Sequence, residues 1–203
     1  MPSISKGEQL PLAGVTVLVT RAEQQTRELS ETLKKWGATV IPCPTIQVTA
    51  PQDSSHLDTV LERLHEANWL LLTSVNGVHR LMERWRHLFP NKTIPSTVRI
   101  CAVGPKTAQA LTSYGLPINA MPSIYTGEGV VATLKPLLAA GDIMVFPKAS
   151  AARDVIPENL RAEGIIVWDP IAYQTVPPPE IPAETKRMLA TTPLQAAVFT
   201  SPS

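Results

Sequence analysis

The stretch VTVLVTRAEQQTRELSETLKKWGATVIPC, Val15 to Cys43, decides the fold class. Val15 to Thr20 is a continuous apolar run with β-branched residues, as expected of a strand. Ala22 to Trp36 follows with Leu29 and Leu33 on one helical face and Lys34 and Lys35 near its end, and Gly37 stands where a helix stop belongs. Thr39 to Cys43 is apolar again. Strand, helix, strand predicts a βαβ unit, hence a parallel sheet with helices packed on it.

Downstream, Pro42, Pro44 and Pro51 punctuate an extended segment, Pro44 to Ala50. Helices are expected at Leu57–Glu66, Val78–Leu88, from Gly104–Thr107 to Tyr114, and at Gly127–Leu138, Asp154–Ala162 and Glu184–Ala190. Strands are expected at Trp69–Leu72, Val98–Val103, Ile143–Phe146, Ile165–Trp168, Ile171–Val176 and Ala196–Phe199. Pro177, Pro178, Pro179 and Pro182 form a stiff linker. The elements alternate throughout, so the class is α/β.

The chain also repeats itself. Thr73-Ser74 recurs as Thr200-Ser201, and 200 − 73 = 127. The same offset carries Gly37 onto Gly164, Gly14 onto Gly141, Leu33 onto Leu160, Val40 onto Val167 and Gln47 onto Gln174, and sets Arg21 opposite Lys148. Two related halves follow from this register. The counterpart of Ala102–Thr107 would fall beyond Ser203, so the second half is expected to continue past this chain.

Composition narrows the function. Of 203 residues, 44% are hydrophobic and 17% charged, enough for a real core, and the formal net charge is +1. That balance argues against a dedicated nucleic-acid binder, but it leaves room for an anionic small molecule held in one cleft. Cys43 and Cys101 have no CxxC or Cys/His metal spacing and read as buried strand residues in a reducing cytosol. The polar lead Met1–Leu12 lacks a signal-peptide core, and no apolar run approaches a membrane span. His56, His65, His79 and His87 read as surface or helix-end residues, and Trp36, Trp69, Trp85 and Trp168 as packing residues.

Three loops follow strands: Thr73–Gly77, Gly104–Thr107 and Lys148–Arg153. In open α/β sheets ligands bind beyond the carboxyl ends of strands, where helix N-termini present free amides and a partial positive charge. Thr73, Ser74 and Thr107 add hydroxyls, and Lys106, Lys148 and Arg153 add charge. The same hydroxyls could simply cap helices, and one loop can do both. Gly104-Pro105-Lys106-Thr107 is not a phosphate loop, since GxxxxGK[ST] is absent and Pro105 removes a backbone donor. No GxGxxG is present, so nucleotide binding is rejected. Tyr173 lies on an extended segment, with Ile46 at its place in the first half. A phenol keeps its proton at neutral pH and can donate it; the plain reading is a strand aromatic with a solvated hydroxyl.

In their order and spacing, a set of motifs resembles the uroporphyrinogen-III synthase family along nearly the whole chain. They are Val17–Arg21 with Gly37, Leu72–Gly77, Ala102-Val103-Gly104 with Lys106-Thr107-Ala108, Phe146-Pro147 with Arg153, Tyr173-Gln174-Thr175 and Phe199–Ser203. The resemblance implies two parallel-sheet, three-layer α/β domains joined by a two-stranded linker. The first would hold residues 12–43 plus 177–203, the second 55–169, with linker strands 44–50 and 170–176 and the active site in the cleft between domains. It implies a lyase that removes water from hydroxymethylbilane, a linear tetrapyrrole polycarboxylate, inverts the last pyrrole ring and closes the macrocycle without metal or other cofactor. Tyr173 would be the proton donor to the leaving hydroxyl. Thr73, Ser74, Asn76, Gly104, Lys106, Thr107, Thr200 and Ser201, with Arg21, Lys148 and Arg153, would bind substrate carboxylates. A cytoplasmic monomer is expected, with hydroxymethylbilane and the upstream hydroxymethylbilane synthase as partners, and neither nucleic acid nor membrane. The alternative from another class is a non-catalytic two-lobed α/β module that clamps a small carboxylate ligand.

Overall fold

The computed structural model describes residues 10–20 and 23–199. Its elements are β1 (Thr16–Val19), α1 (Glu23–Lys35), β2 (Thr39–Pro42), β3 (Gln47–Thr49), α2 (Ser55–Glu62), β4 (Trp69–Leu72), α3 (Val75–Leu88), β5 (Arg99–Ala102) and α4 (Pro105–Ser113). They continue with α5 (Gly127–Leu134), β6 (Ile143–Val145), β7 (Lys148–Ala149), α6 (Val155–Ala162), β8 (Ile166–Trp168), β9 (Ile171–Val176), α7 (Ala183–Thr191) and β10 (Ala196–Val198). The chain divides into two compact units, Met1–Val48 with Val176–Ser203, and Thr49–Thr175. No described helix is long and apolar enough to cross a membrane.

The larger unit is built on the sheet β5-β4-β6-β8, parallel throughout. Its central strand β4 reads Trp-Leu-Leu-Leu, and none of the four is more than 1% exposed. Alternation sorts them. Leu70 and Leu72 pack with Ile100, Ala102 and Val145 under Leu57 and Leu61 of α2, Val78, Leu81 and Trp85 of α3 and Leu111 of α4. Trp69 and Leu71 pack with Cys101, Met144 and Phe146 under Val130 and Leu134 of α5 and Leu160 of α6. A sheet covered on both faces has no polar side to show, which explains the unbroken apolar run. Burying each such side chain contributes about 1.5–3 kcal/mol. Burial also pushes the Cys101 thiol up to about 12, so it stays protonated in the core.

The smaller unit is built on the parallel sheet β10-β1-β2. Val17, Val19 and Val40 cluster with Leu29 and Leu33 of α1. Thr185 of α7 is buried and donates its hydroxyl to the Pro42 carbonyl at 2.6 Å. The third sheet, β3-β9-β7, contains the two segments in which the chain passes from one unit to the other.

The repeat is visible in the backbone at the same offset. β1 pairs β2 with Thr16 opposite Thr39, and β6 pairs β8 with Ile143 opposite Ile166. β1 pairs β10 with Val17 opposite Ala196, and β4 pairs β6 with Trp69 opposite Met144. Gly14 and Gly141, and likewise Gly37 and Gly164, all take positive φ, which an L side chain disfavours. One side-chain bond is duplicated as well: Asn68 Oδ1 accepts from the Ile143 amide at 2.8 Å, and Gln195 Oε1 accepts from the Thr16 amide at 2.7 Å.

Several boundaries differ from the sequence reading, each for a local reason. Val75, Asn76 and Gly77 are the first turn of α3 rather than loop, because Ser74 caps the helix. Pro105 to Thr107 are likewise the first turn of α4, with Pro105 at a position that needs no amide hydrogen. The helix expected to reach Leu138 ends at Leu134 and tightens into a 3-10 turn, Lys135–Leu137, since Pro136 offers no amide to continue it. The helix expected at Leu57–Glu66 stops at Glu62 and is followed by a separate 3-10 turn, Leu64–Glu66. Lys148-Ala149, expected as loop, pairs with β9 as a short strand. Trp36 is half exposed instead of packed.

Candidate functional site

Because β4, β5, β6 and β8 run parallel, the segments after them open on one edge of the larger unit's sheet. The best-defined geometry there joins the end of β4 to β9. Ser74 follows β4 in an extended conformation (φ −152°, ψ 152°), and its Oγ accepts the Gly77 amide at 2.9 Å. Such a cap contributes about 1 kcal/mol. The same Oγ lies 2.9 Å from the phenolic oxygen of Tyr173, half-buried on β9. Tyr173 is fixed in turn through its backbone: β9 pairs β7 with Ala149 opposite Tyr173, and the Ser150 amide donates to the Tyr173 carbonyl at 2.9 Å.

Gly77 lies beside this contact. A Cβ placed on it would lie 3.2 Å from Ser74 Oγ, 3.7 Å from the Tyr173 ring and 3.8 Å from Leu72. A methyl group there would press on the serine and meet the ring and Leu72 at ordinary contact distance. Sequence reading quoted Gly77 within a motif but gave it no task. The available signal was a capping residue followed by glycine at the third helical position.

The second loop places Gly104 as the cap residue of α4, at φ 88° and without a side-chain cap bond. The first-turn amides of α4 thus lack side-chain partners, the usual condition for holding an anion. Lys106 is exposed beside them and Thr107 is buried, 4% exposed. The exposed ring of Tyr125 lies over Gly104, 3.9 Å from where a Cβ would stand, a neighbour that sequence reading did not anticipate. Thr73 and Asn76 are half-buried at the start of α3.

The third loop holds its cation differently from expectation. Lys148 is 15% exposed and its Nζ lies 2.5 Å from Asp154 and 2.8 Å from Asp169, so its charge is engaged within the protein. Arg161 also reaches Asp169, at 2.6 Å. Burial by itself would push Lys148 down, but hydrogen bonds and charge from Asp154 and Asp169 hold it above the ordinary lysine value. Burial would push Asp169 up, but Lys148 and Arg161 hold it below the ordinary carboxylate value. Asp169 therefore adds stability that is present above the ordinary carboxylate range and lost as pH falls through its folded value. Lys148 adds stability that is present below the ordinary lysine range and lost as pH rises through its folded value. The pair's contribution is a plateau across neutral pH. Urea midpoints taken from about pH 3 to 7 are expected to rise less steeply for Asp169→Asn than for the unaltered chain; equal slopes would show that the pair stabilises nothing.

Arg153 is exposed and lines a depression of about 390 Å³ with Thr126, Gly127, Glu128, Val155 and Ile156, at the N-terminal ends of α5 and α6. The Glu128 carboxyl is held below its ordinary value by its own backbone amide first, then by Thr126 and the nearby charge of Arg153. Arg21, Thr200 and Ser201 lie outside the described residues. All four histidines are exposed. Among the described residues no group of three or more His, Cys, Asp and Glu is placed to hold a metal ion.

Comparison with known proteins gives a consistent picture. A family model described as uroporphyrinogen-III synthase HemD matches residues 27–203. The uroporphyrinogen-III synthase of Synechococcus elongatus is 31% identical over 193 residues, which cover 94% of this chain and 72% of that protein. That of Chlorobaculum parvum is 29% identical over 191 residues, covering 93% and 75%. A crystal structure of a mutant uroporphyrinogen III synthase from the extremely thermophilic bacterium Thermus thermophilus superposes with a TM-score of 0.59 at 21% identity, covering 91% of this chain and 71% of that one, a likeness of fold.

Proposed function

The chain belongs to the uroporphyrinogen-III synthase family, and on that footing we propose that it cyclises hydroxymethylbilane, with loss of water and inversion of the last pyrrole ring, in tetrapyrrole biosynthesis. The observation that carries the chemistry is a phenolic hydroxyl, Tyr173, held 2.9 Å from the hydroxyl that caps α3.

The reaction needs little from the protein. The pyrrole nitrogen pushes out the terminal hydroxyl, the C–O bond breaks with its electron pair on oxygen, and Tyr173 supplies the proton that makes the leaving group water. The substituted carbon of the last ring attacks the electrophilic methylene to give a spiro intermediate. The bond from that carbon to its original bridging methylene then breaks, the ring's unsubstituted α-carbon attacks the methylene so released, and the macrocycle closes with that ring inverted. The proton then lost from the pyrrole carbon restores the phenol. Holding a flexible polyanion in the closing conformation is the larger task. We assign it to the first-turn amides of α3 and α4 and to Thr73, Asn76, Gly104, Lys106 and Thr107, with Arg153 at the depression beside α6 and Arg21, Thr200 and Ser201 in the smaller unit; the Ser74 hydroxyl is engaged with the Gly77 amide and Tyr173. Lys148 serves the same loop by tying β7 to Asp154 and Asp169. We further take residues 12–43 with 177–203, and 55–169, as two three-layer domains, joined by linker strands 44–50 and 170–176. The protein would work as a cytoplasmic monomer fed by hydroxymethylbilane synthase.

The test is a coupled assay in which hydroxymethylbilane is generated enzymatically and the oxidised products are separated by isomer. Uncatalysed closure gives the type I ring. An excess of type III over a no-protein control is expected. Type I alone, together with saturable binding of hydroxymethylbilane, would favour a carboxylate-clamping module instead.

A further inference from the structure

We propose that Ser74 orients Tyr173, by donating its hydroxyl proton to the phenolic oxygen so that the phenolic proton points at the substrate. This deepens the cyclase reading and rests on it for the identity of the proton acceptor. Ser74 Oγ already accepts the Gly77 amide at 2.9 Å, so its remaining roles are one donor and one acceptor. The contact with Tyr173, also 2.9 Å, can run either way. If Tyr173 donated to Ser74, its proton would be spent inside the protein. With Ser74 as donor the phenol keeps a free proton, and once that proton has passed to the leaving hydroxyl, Ser74 already faces the oxygen that carries the new negative charge. No bond within the protein has to be remade during the step. The amide of the first helical turn, donating into Ser74 Oγ, polarises the serine in the same sense. Gly77 leaves the Ser74 hydroxyl undisturbed, since a Cβ there would stand only 3.2 Å from its Oγ. Ser74 is on this account a positioning residue acting through Tyr173, which alone touches the reacting atoms.

Removing Ser74 also removes a helix cap, so three substitutions are needed. Ser74→Thr keeps the cap and the donor. Ser74→Asp keeps the cap but offers only acceptor oxygens, which would draw the phenolic proton away from the substrate. Ser74→Ala keeps neither. Type III cyclisation is expected to fall about tenfold or more in kcat for both Asp and Ala, with KM little changed, and to stay within a few-fold for Thr. The Asp variant should unfold near the temperature of the unaltered chain. In a Tyr173→Phe background, Ser74→Ala should cost nothing further. An Asp variant as fast as the unaltered chain, or an Ala loss that is equal in both backgrounds, would overturn the proposal. So would a loss confined to KM, which would make Ser74 a substrate contact.

A second readout does not depend on turnover. The chain has three tyrosines, so the ring carbons of Tyr173 can be assigned in labelled protein by their loss in Tyr173→Phe. Their signals should move in Ser74→Ala and Ser74→Asp and hold in Ser74→Thr; signals unmoved in Ser74→Ala sink the orientation outright. Failure of the unaltered chain to make type III ring would strike the cyclase reading, while these signals would still decide whether Ser74 sets the phenol.

Discussion

Tyr173→Phe is expected to slow formation of the type III ring by about 10²–10⁴-fold, the range typical of a lost general acid. The substitution deletes one oxygen and leaves the ring on Gly77, so packing is kept. The lost bond to Ser74 is half-exposed and neutral, and should cost about 0.5–1.5 kcal/mol of stability. KM should change little, because the phenol is asked to act on the departing oxygen rather than to hold carboxylates. Steady-state kinetics with isomer separation, alongside a thermal melt, checks each part. An unchanged rate would remove the donor role from Tyr173 while leaving membership of the family untouched. The residual rate has its own meaning: what survives in Tyr173→Phe measures how much of the acceleration comes from holding the chain in the closing conformation.

The elements of this fold are plainly written in the sequence, and their faces are not. Val15–Cys43 announces strand, helix and strand, and the offset of 127 announces the second copy, because backbone demands such as positive φ at Gly37 and Gly164 recur with the register. In contrast, Trp69–Leu72 is apolar at every position, so nothing in it says that Leu72 faces α3 while Leu71 faces α5 and α6. That assignment needs both layers in place. The site shows the same division. Ser74 and Tyr173 were singled out separately, one in a loop after a strand and the other on an extended segment; their 2.9 Å contact spans 99 residues and depends on the placing of β9 by its pairing with β7. Lys148 was expected to meet substrate carboxylates, and its engagement within the protein went unseen because Asp169 stands 21 residues away and Asp154 across a turn. Such pairings leave no periodic trace, since they are set by where strands end in the sheet.

Leu72→Ala is the substitution expected to couple the core to the chemistry. Leu72 is fully buried at the end of β4, and its side chain lies against Gly77, under the first turn of α3. Truncating a buried leucine costs about 2–5 kcal/mol, through lost transfer energy and an incompletely collapsed cavity. At a few degrees per kcal/mol, the melting temperature should fall on the order of 10 °C. Leu71→Ala is the control: equally buried, one residue earlier, facing the opposite layer. Its stability loss should be similar. Measured well below both melting temperatures, the two should nevertheless part company. The cavity left by Leu72 undermines Gly77, Ser74 and the resting place of the Tyr173 ring, so type III turnover should fall with it. The cavity left by Leu71 opens toward Val130, Leu134 and Leu160 and should leave turnover near that of the unaltered chain. Equal losses of turnover would mean that activity follows stability alone. Unequal losses would mean that the alternation of one four-residue strand decides which core residues hold the phenol in place.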